Sequence, residues 1–399
     1  MTSSPTSSRL PTGAFRTAAL AAAAVCALLL GACSHGTTPS IATTTTTLPP
    51  LPPKVIAYVV LAGTGSNLGY GTTMVPVDVS AGSDTVGTSV KVGTYPDAVA
   101  VTPNGRLALV ANFSSNTVTP ILEPNGTALP PITVGSGPAN IAITPDGTTA
   151  YVTDDGGLSS LGDTVTPIDL ATLKAEAPIV VGEGPQGIAI TPDGKTAYVA
   201  DAGAIIAGQA GSFGDEVTPI DLATGKAGKP IHVGNAPLAV AVTPDGSTVF
   251  VTNLNSESVT PINVAANQAE AAIAVAGGPV AIAVGGQHAW VVNAPATGKT
   301  GNNVQSISLT TDKAGTPITL ENGAQGISIT PDGTTAWVAC LNADALVPID
   351  LATGQAGAAI KLLGGPFAVT VADQPQTASS APTTTTTTSK KTAKTTTTS

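Results

Sequence analysis

The sequence predicts an all-β protein, a seven-bladed β-propeller of four-stranded antiparallel blades. Three observations predict it. First, one short phrase recurs: "ITPDGTTAYVTDD" at 143–155, "ITPDGKTAYVAD" at 190–201, "VTPDGSTVFVTN" at 242–253 and "ITPDGTTAWVAC" at 329–340. Second, the repeat has the length of one blade. Aligned on the Pro that precedes each phrase (Pro96, Pro138, Pro185, Pro237, Pro279, then Ala324 in its place, then Pro366), the steps are 42, 47, 52, 42, 45 and 42 residues. Four short strands fit that period. Third, the two ends are complementary fractions of a blade. The ordered chain opens with "VIAYVV" (55–60), "TTMVPVDV" (72–79) and "TSVKV" (88–92), and closes with a lone "GGPFAVTVAD" (364–373). Six whole units lie between, so the C-terminal strand is expected to complete the N-terminal blade and close the ring.

Each element follows from local chemistry. "IAIT" (141–144) and "AYVT" (150–153) are short and rich in β-branched and aromatic residues, as strands are. They are apolar on both faces, so both sheet faces are covered. "PDG" between them is a hairpin turn, with Pro fixing φ, Asp capping and Gly taking the left-handed position. "TVTPID" (164–169) is a third strand whose Pro argues against a full hydrogen-bond ladder. "LATG" turns the chain, and "KPIHVG" (229–234) is an outer strand. The Asp column before that turn, Asp78, Asp169, Asp221 and Asp350, with Asn263 and Ser308 in two blades, reads as turn capping. The second-strand column Tyr58, Leu109, Tyr151, Tyr198, Phe250, Trp290 and Trp337 reads as one bulky plug per blade rather than an aromatic cage.

The phrase "PDGTTAYVTD" resembles the YVTN repeat of bacterial β-propellers over residues 54–373. That resemblance implies a fold and names no activity. One blade departs from it, since "VGGQHAWVVN" (284–293) lacks the Pro-Asp-Gly turn. "DLATGK" (221–226) also resembles part of the tryptophan-docking repeat of quinone-dependent dehydrogenase propellers. The closing Trp of that repeat is missing here, with Ile231 at its place.

Flanking segments give the address. Arg9 and Arg16 precede a 13-residue apolar run, Ala18–Leu30, suited to the core of an export signal. The run ends in "LGAC", which resembles the bacterial lipobox and implies lipidation of Cys33. The expected organisation is a lipoprotein-type signal over 1–33, a Thr/Pro-rich tether over 34–53, the propeller over 54–373, and a Thr/Ser/Lys-rich tail over 374–399. Tether and tail lack the apolar residues needed to offset ordering entropy and read as disordered. The expected location is the extracytoplasmic face of a bacterial membrane, held by a lipid anchor, with plain secretion as the alternative. Cys26 lies in the signal, so Cys340 has no partner for a disulfide and reads as a buried, inert thiol.

Charge excludes one class of partner. All 25 acids fall within 54–373 against 10 Lys and Arg, so the propeller carries −15 and repels phosphate backbones. Chemistry is sparse too. Of three histidines, His35 is in the tether, His232 in an outer strand and His288 in a turn, with no metal-type His spacing. Nor does a G-x-S-x-G accompany them.

Loops carry what functional signal there is. The insertions at 61–73, 154–163, 201–216 and 293–303 all join strands two and three and so share one face. Ligand-face candidates there are Asp154, Asp155, Asp163, Asp201, Phe213, Asp215 and Glu216, joined around the channel by Asp97, Asn140, Gln186, Gln325 and Phe367. Leu238 and Val280 complete that ring. The apolar centre of loop 201–216 reads either as a partner contact or as a plug over the channel. No cofactor is implied. The acids could hold Ca²⁺, though no D-x-D-x-D-G loop is present. The expectation is a monomeric, non-enzymatic binding module for an envelope protein, peptide or glycan. The rival is a channel-sited hydrolase of the sugar-lactonase kind.

Overall fold

The computed structural model describes residues 40–41, 53–63, 71–157, 160–205, 212–294, 302–320, 323–374 and 389–390. The apolar run, Cys33, most of the tether and tail, and the centres of the long loops lie outside these. The chain divides into two units. The smaller contains one pairing, Ser40–Ile41 antiparallel to Ser389–Lys390. The larger holds seven antiparallel sheets, as a seven-bladed propeller requires.

In chain order the leading strands of blades one to six are Pro96–Val101, Pro138–Ile143, Pro185–Ile190, Pro237–Val242, Gly278–Gly285 and Ala324–Ile329. Blade seven closes the ring. Its leading strand is the C-terminal Pro366–Gln374, paired along Lys54–Leu61, which then pairs with Thr73–Asp78. Lys54 stands opposite Gln374 and Leu61 opposite Pro366. The ends of the ordered chain therefore zip together, as the two partial blades predict.

The repeated Thr-Pro-Asp-Gly corner is a small hydrogen-bond cage. In blade four the Thr243 hydroxyl donates to the Asp245 carboxylate at 2.6 Å and accepts the Thr248 N–H at 3.1 Å. Asp245 also accepts the Ser247 N–H at 3.0 Å, and Gly246 takes φ +71°. Blades two, three and six repeat the Thr–Asp bond at 2.6, 2.6 and 2.5 Å, and blade one uses Asn104 at 2.8 Å. These donors hold the exposed turn carboxylates below the ordinary Asp value, Asp245 at about 2. Blade five, without the corner, turns directly between Gly285 and His288.

The plug column packs against prolines. Tyr58, Leu109, Tyr151, Tyr198, Phe250 and Trp337 each stand opposite the Pro of the third strand, and Trp290 opposite Ser306. All seven plugs are buried, at 7 % exposure or less. Removing such a ring typically costs about 3–5 kcal/mol.

The outer strand differs from the single strand the sequence suggests. It is broken into two short pieces in six blades, for example Lys174–Ala175 and Ile179–Val180, which pair with the two ends of Thr164–Asp169. The break falls opposite the Pro. A Pro nitrogen cannot donate, so only its carbonyl is used, as in Glu176 N–H to the Pro167 carbonyl at 2.8 Å. The Asp-column turns behave as expected, with Asp169, Asp221 and Asp350 accepting N–H groups of Thr172, Thr224 and Thr353 at 2.7–2.9 Å.

Candidate functional site

The seven leading strands surround a central channel containing a cavity of about 530 Å³. Each leading strand carries a bulge immediately after its first residue, for instance between Pro96 and Ala98. The bulge leaves the second residue off the ladder and free to face the channel. That ring is Asp97, Ala139, Gln186, Leu238, Val280, Gln325 and Phe367, all of which line the cavity. Asn140, named from sequence as the blade-two member, sits one position further along. It pairs with Thr153, at the place of Ala98 in blade one and Gly326 in blade six. It also lines the cavity, as an extra polar group beside its ring neighbour Ala139.

The walls below are aliphatic, with Val99, Ile141, Ile188 and Ile327 among them. Among the described residues, the polar side chains in the lining are Asp97, Asn140, Gln186, Gln325 and Thr370, with no Lys, Arg or His. Asp97 stands apart. The protein surrounds its carboxyl, yet the residue keeps some accessible surface, as a group facing an enclosed space does. Burial pushes its pKa up to about 8, and the charge of Asp155 pushes the same way. Asp155 itself is fully buried. Tyr95, two residues before Asp97, is raised to about 12 by burial and by Asp97. Its ring meets Phe113 edge-on at 5.4 Å and Phe367 at 6.3 Å.

Two other candidates prove internal. Asp154 and Asp201 stand on second strands opposite the leading Pro138 and Pro185 and are 1 % and 3 % exposed. Asp154 accepts the Thr166 and Thr164 hydroxyls at 2.6 and 3.1 Å, and Asp201 accepts Thr218 at 2.6 Å. Asn112 and Asn253 fill the same column in blades one and four, reaching Thr119 and Thr260 at 2.9 and 2.8 Å. These side chains tie strand two to strand three and are closed to a ligand arriving from solvent. Burial pushes Asp154 up to about 6 and Asp201 up to about 7, against the pull of their Thr partners. Asp163 and Asp215 are exposed, Glu216 is half-buried, and Phe213 is 49 % exposed.

Both ends of loop 201–216 are strand. Thr196–Gly203 and Phe213–Asp221 extend the hairpin upward, with Gly203 opposite Phe213. Ile205, at the start of the connection, lines the channel cavity. Cys340 is fully buried in the same column as Asn112.

One metal-type donor set occurs among the described residues. Donor atoms of Asp215, Glu216 and His232 all lie within 4.8 Å of one another. Glu216 and His232 are cross-strand partners, and the His232 Nδ1 lies 3.7 and 3.6 Å from the two carboxylates. Sixteen residues separate His232 from Glu216, so no sequence spacing exposes the group. Of the acids named for Ca²⁺, Asp215 and Glu216 stand together in this group, while Asp154 and Asp201 turn inward to Thr hydroxyls.

No protein-family profile matches the chain, and no curated protein matches it. Solved structures do match. Hydrazine synthase from Kuenenia stuttgartiensis aligns at 21 % identity and TM-score 0.61, over 69 % of this chain and 89 % of that one. A candidate 6-phosphogluconolactonase from Bacteroides fragilis aligns at 17 % identity and TM-score 0.63, over 80 % and 98 %. A functionally unknown protein from Desulfotomaculum acetoxidans gives 16 %, 0.63, 80 % and 99 %. At these identities the likeness is one of fold: this chain is a seven-bladed β-propeller of the architecture that the 6-phosphogluconolactonase-like structures share.

Proposed function

We propose that this chain is an exported, lipid-anchored propeller of the YVTN-repeat kind that binds an envelope protein, peptide or glycan at the loop-bearing mouth of its channel. The observation that carries this reading is the channel lining: among the described residues, aliphatic walls, an amide rim and one carboxyl, without a His, Lys or Arg. A mostly apolar cavity with a few placed polar groups suits ligand binding. Acid–base catalysis ordinarily needs two groups of separated pKa, and phosphate recognition needs cations. The export signal, the "LGAC" sequence at Cys33 and the Thr/Pro tether supply the address.

The test is a cross-linking pull-down from intact envelope. Wild type is compared with a variant in which residues 204–212 are replaced by Asn-Gly, a two-residue hairpin turn compatible with the Gly203–Phe213 pairing. Circular dichroism and thermal melts check that both fold. The expected outcome is a partner recovered with wild type and lost with the variant. Identical recoveries would remove this loop from the recognition surface.

A second reading, hydrolysis, has one observation in its favour. Asp97, raised to about 8 with Asp155 beside it, is poised to exchange a proton near neutral pH. The structural neighbour from Bacteroides fragilis is named for a phosphorylated lactone. An acidic channel without a cation opposes that substrate, so a neutral lactone is the one to assay.

A further inference from the structure

We propose that the channel mouth, where blades seven and one meet, binds a primary ammonium group carried on an aliphatic stem, with Asp97 as its anionic contact. The inference rests on the binding reading above and names the chemistry of the ligand.

Internal comparison shows that the Asp97 charge is not a requirement of the fold. The other six blades place Ala139, Gln186, Leu238, Val280, Gln325 and Phe367 at the same bulged position, all neutral. Asp97 also lacks the partners that the buried acids of the second-strand column have. Asp154 and Asp201 sit among Thr hydroxyls, whereas no hydrogen bond or ion pair to the Asp97 carboxyl occurs among the described residues. A carboxyl so enclosed is costly to ionise without a counter-charge. Among the described residues, nothing basic in the cavity lining supplies one. The fully buried Asp155 behind it deepens the negative potential rather than relieving it.

The surroundings select among cations. A hard metal ion wants six or more oxygens in a close shell. Among the described residues the lining holds no second carboxylate beside Asp97, and its oxygen donors are a few amides and one Thr, short of such a shell. A primary ammonium wants one anion, a few acceptors and a place for its methylenes. The amide oxygens of Gln186 and Gln325 are acceptors around the same cavity, that of Asn140 already accepts the Ile141 N–H at 2.8 Å, and the aliphatic wall takes the stem. Phe367 lines the cavity and leans on Tyr95, at 6.3 Å between ring centres. Ring faces attract cations as well. Phosphates and carboxylates are repelled by the same field.

A free alkylamine, a Lys side chain and a peptide N-terminus share this chemistry. Calorimetric titration of the full chain separates them. The probes are n-pentylamine, n-pentanol as neutral counterpart, N-acetyl-lysine methylamide, and tetra-alanine with a free N-terminus. At pH 9, Asp97 is ionised and the alkylamine is still charged. The expected result is pentylamine binding at least tenfold tighter than pentanol. Asp97→Asn should erase that preference while leaving the alcohol unchanged. Asn140→Lys, which places a resident ammonium on the neighbouring blade, should weaken the amine at least tenfold. Tight binding of the lysine derivative alone assigns a side-chain ligand; tight binding of the tetrapeptide alone assigns a chain terminus. Equal affinities for amine and alcohol, or a preference that survives Asp97→Asn, overturn the proposal. If the amines fail while envelope capture still depends on residues 204–212, the ammonium inference falls and the binding reading stands. Failure of both removes both.

Discussion

At the scale of single residues, the second-strand position opposite the leading Pro is the most informative. Blades one and four fill it with Asn112 and Asn253, which both donate and accept. Blades two and three put Asp154 and Asp201 there, which when ionised only accept. The two acids are pushed up to about 6 and 7. An acid whose folded pKa exceeds its unfolded value stabilises the fold below the unfolded value and loses that contribution as pH rises through the folded one. Asp154→Asn and Asp201→Asn should therefore each raise stability by about 1 kcal/mol at pH 8 and change it little at pH 4. Denaturant melts at the two pH values check this; equal effects at both would exclude the ionisation argument. The sequence made these acids look like face residues, because residue type alone does not reveal burial. Aligning them with Asn112 and Asn253 was the available signal. Asn140 shows the converse, a one-residue offset that only the bulge in the leading strand resolves.

At the scale of elements, strands and turns were legible because each copy repeats the same punctuation. Thr, Pro, Asp and Gly each have a separate duty at the corner, and the repeat displays them together. The Thr243 hydroxyl, 5 % exposed, both donates and accepts there. Thr243→Val should cost about 1–2 kcal/mol by leaving the Thr248 N–H unpaired. A chemical melt of the variant against wild type reads this, and a loss below a few tenths would mean water replaces the hydroxyl. The broken outer strand was not legible. Pro warns that the ladder is incomplete, but the resulting detour appears only when Gly87, Leu129, Glu176, Gly228, Glu270 and Gly357 are seen bonding to the Pro carbonyls.

For the whole molecule, ring closure was readable from complementary end fragments, and the repeat register placed Asp97, Gln186, Leu238, Val280, Gln325 and Phe367 around the channel, where they line the cavity. The surroundings of Asp97 were not readable, because Asp155 and Phe367 come to it and to Tyr95 only through the curvature of the ring. The closing strand ends in a latch. Gln374 donates to the Glu123 carboxylate at 3.0 Å and to the Tyr58 hydroxyl at 3.2 Å, joining blade seven to blade one. Glu123 stands where the other blades carry Leu170, Leu222, Val264, Leu309, Leu351 and Val79, and burial raises it to about 7. With Asp97, Asp154 and Asp201 it makes four buried acids raised in the folded state, while the exposed turn acids are lowered. Stability should therefore peak near pH 4 and fall toward pH 8, since over that window the folded state holds protons that the unfolded state releases. Calorimetric melting from pH 4 to 9 tests this, and a midpoint that is flat or rising over pH 5–8 contradicts it.

The pairing of Lys54 with Gln374 also has a mechanical meaning. The two ends of the propeller leave side by side from one edge of the same two strands. A pull on one end against a hold on the other loads that ladder from its tip, one hydrogen bond after another, and not all together. Of the seven blades, blade seven is then the weak link under tension. Blades one to six, each made of a single continuous stretch of chain, receive load only after the zip between 54–61 and 366–374 has opened.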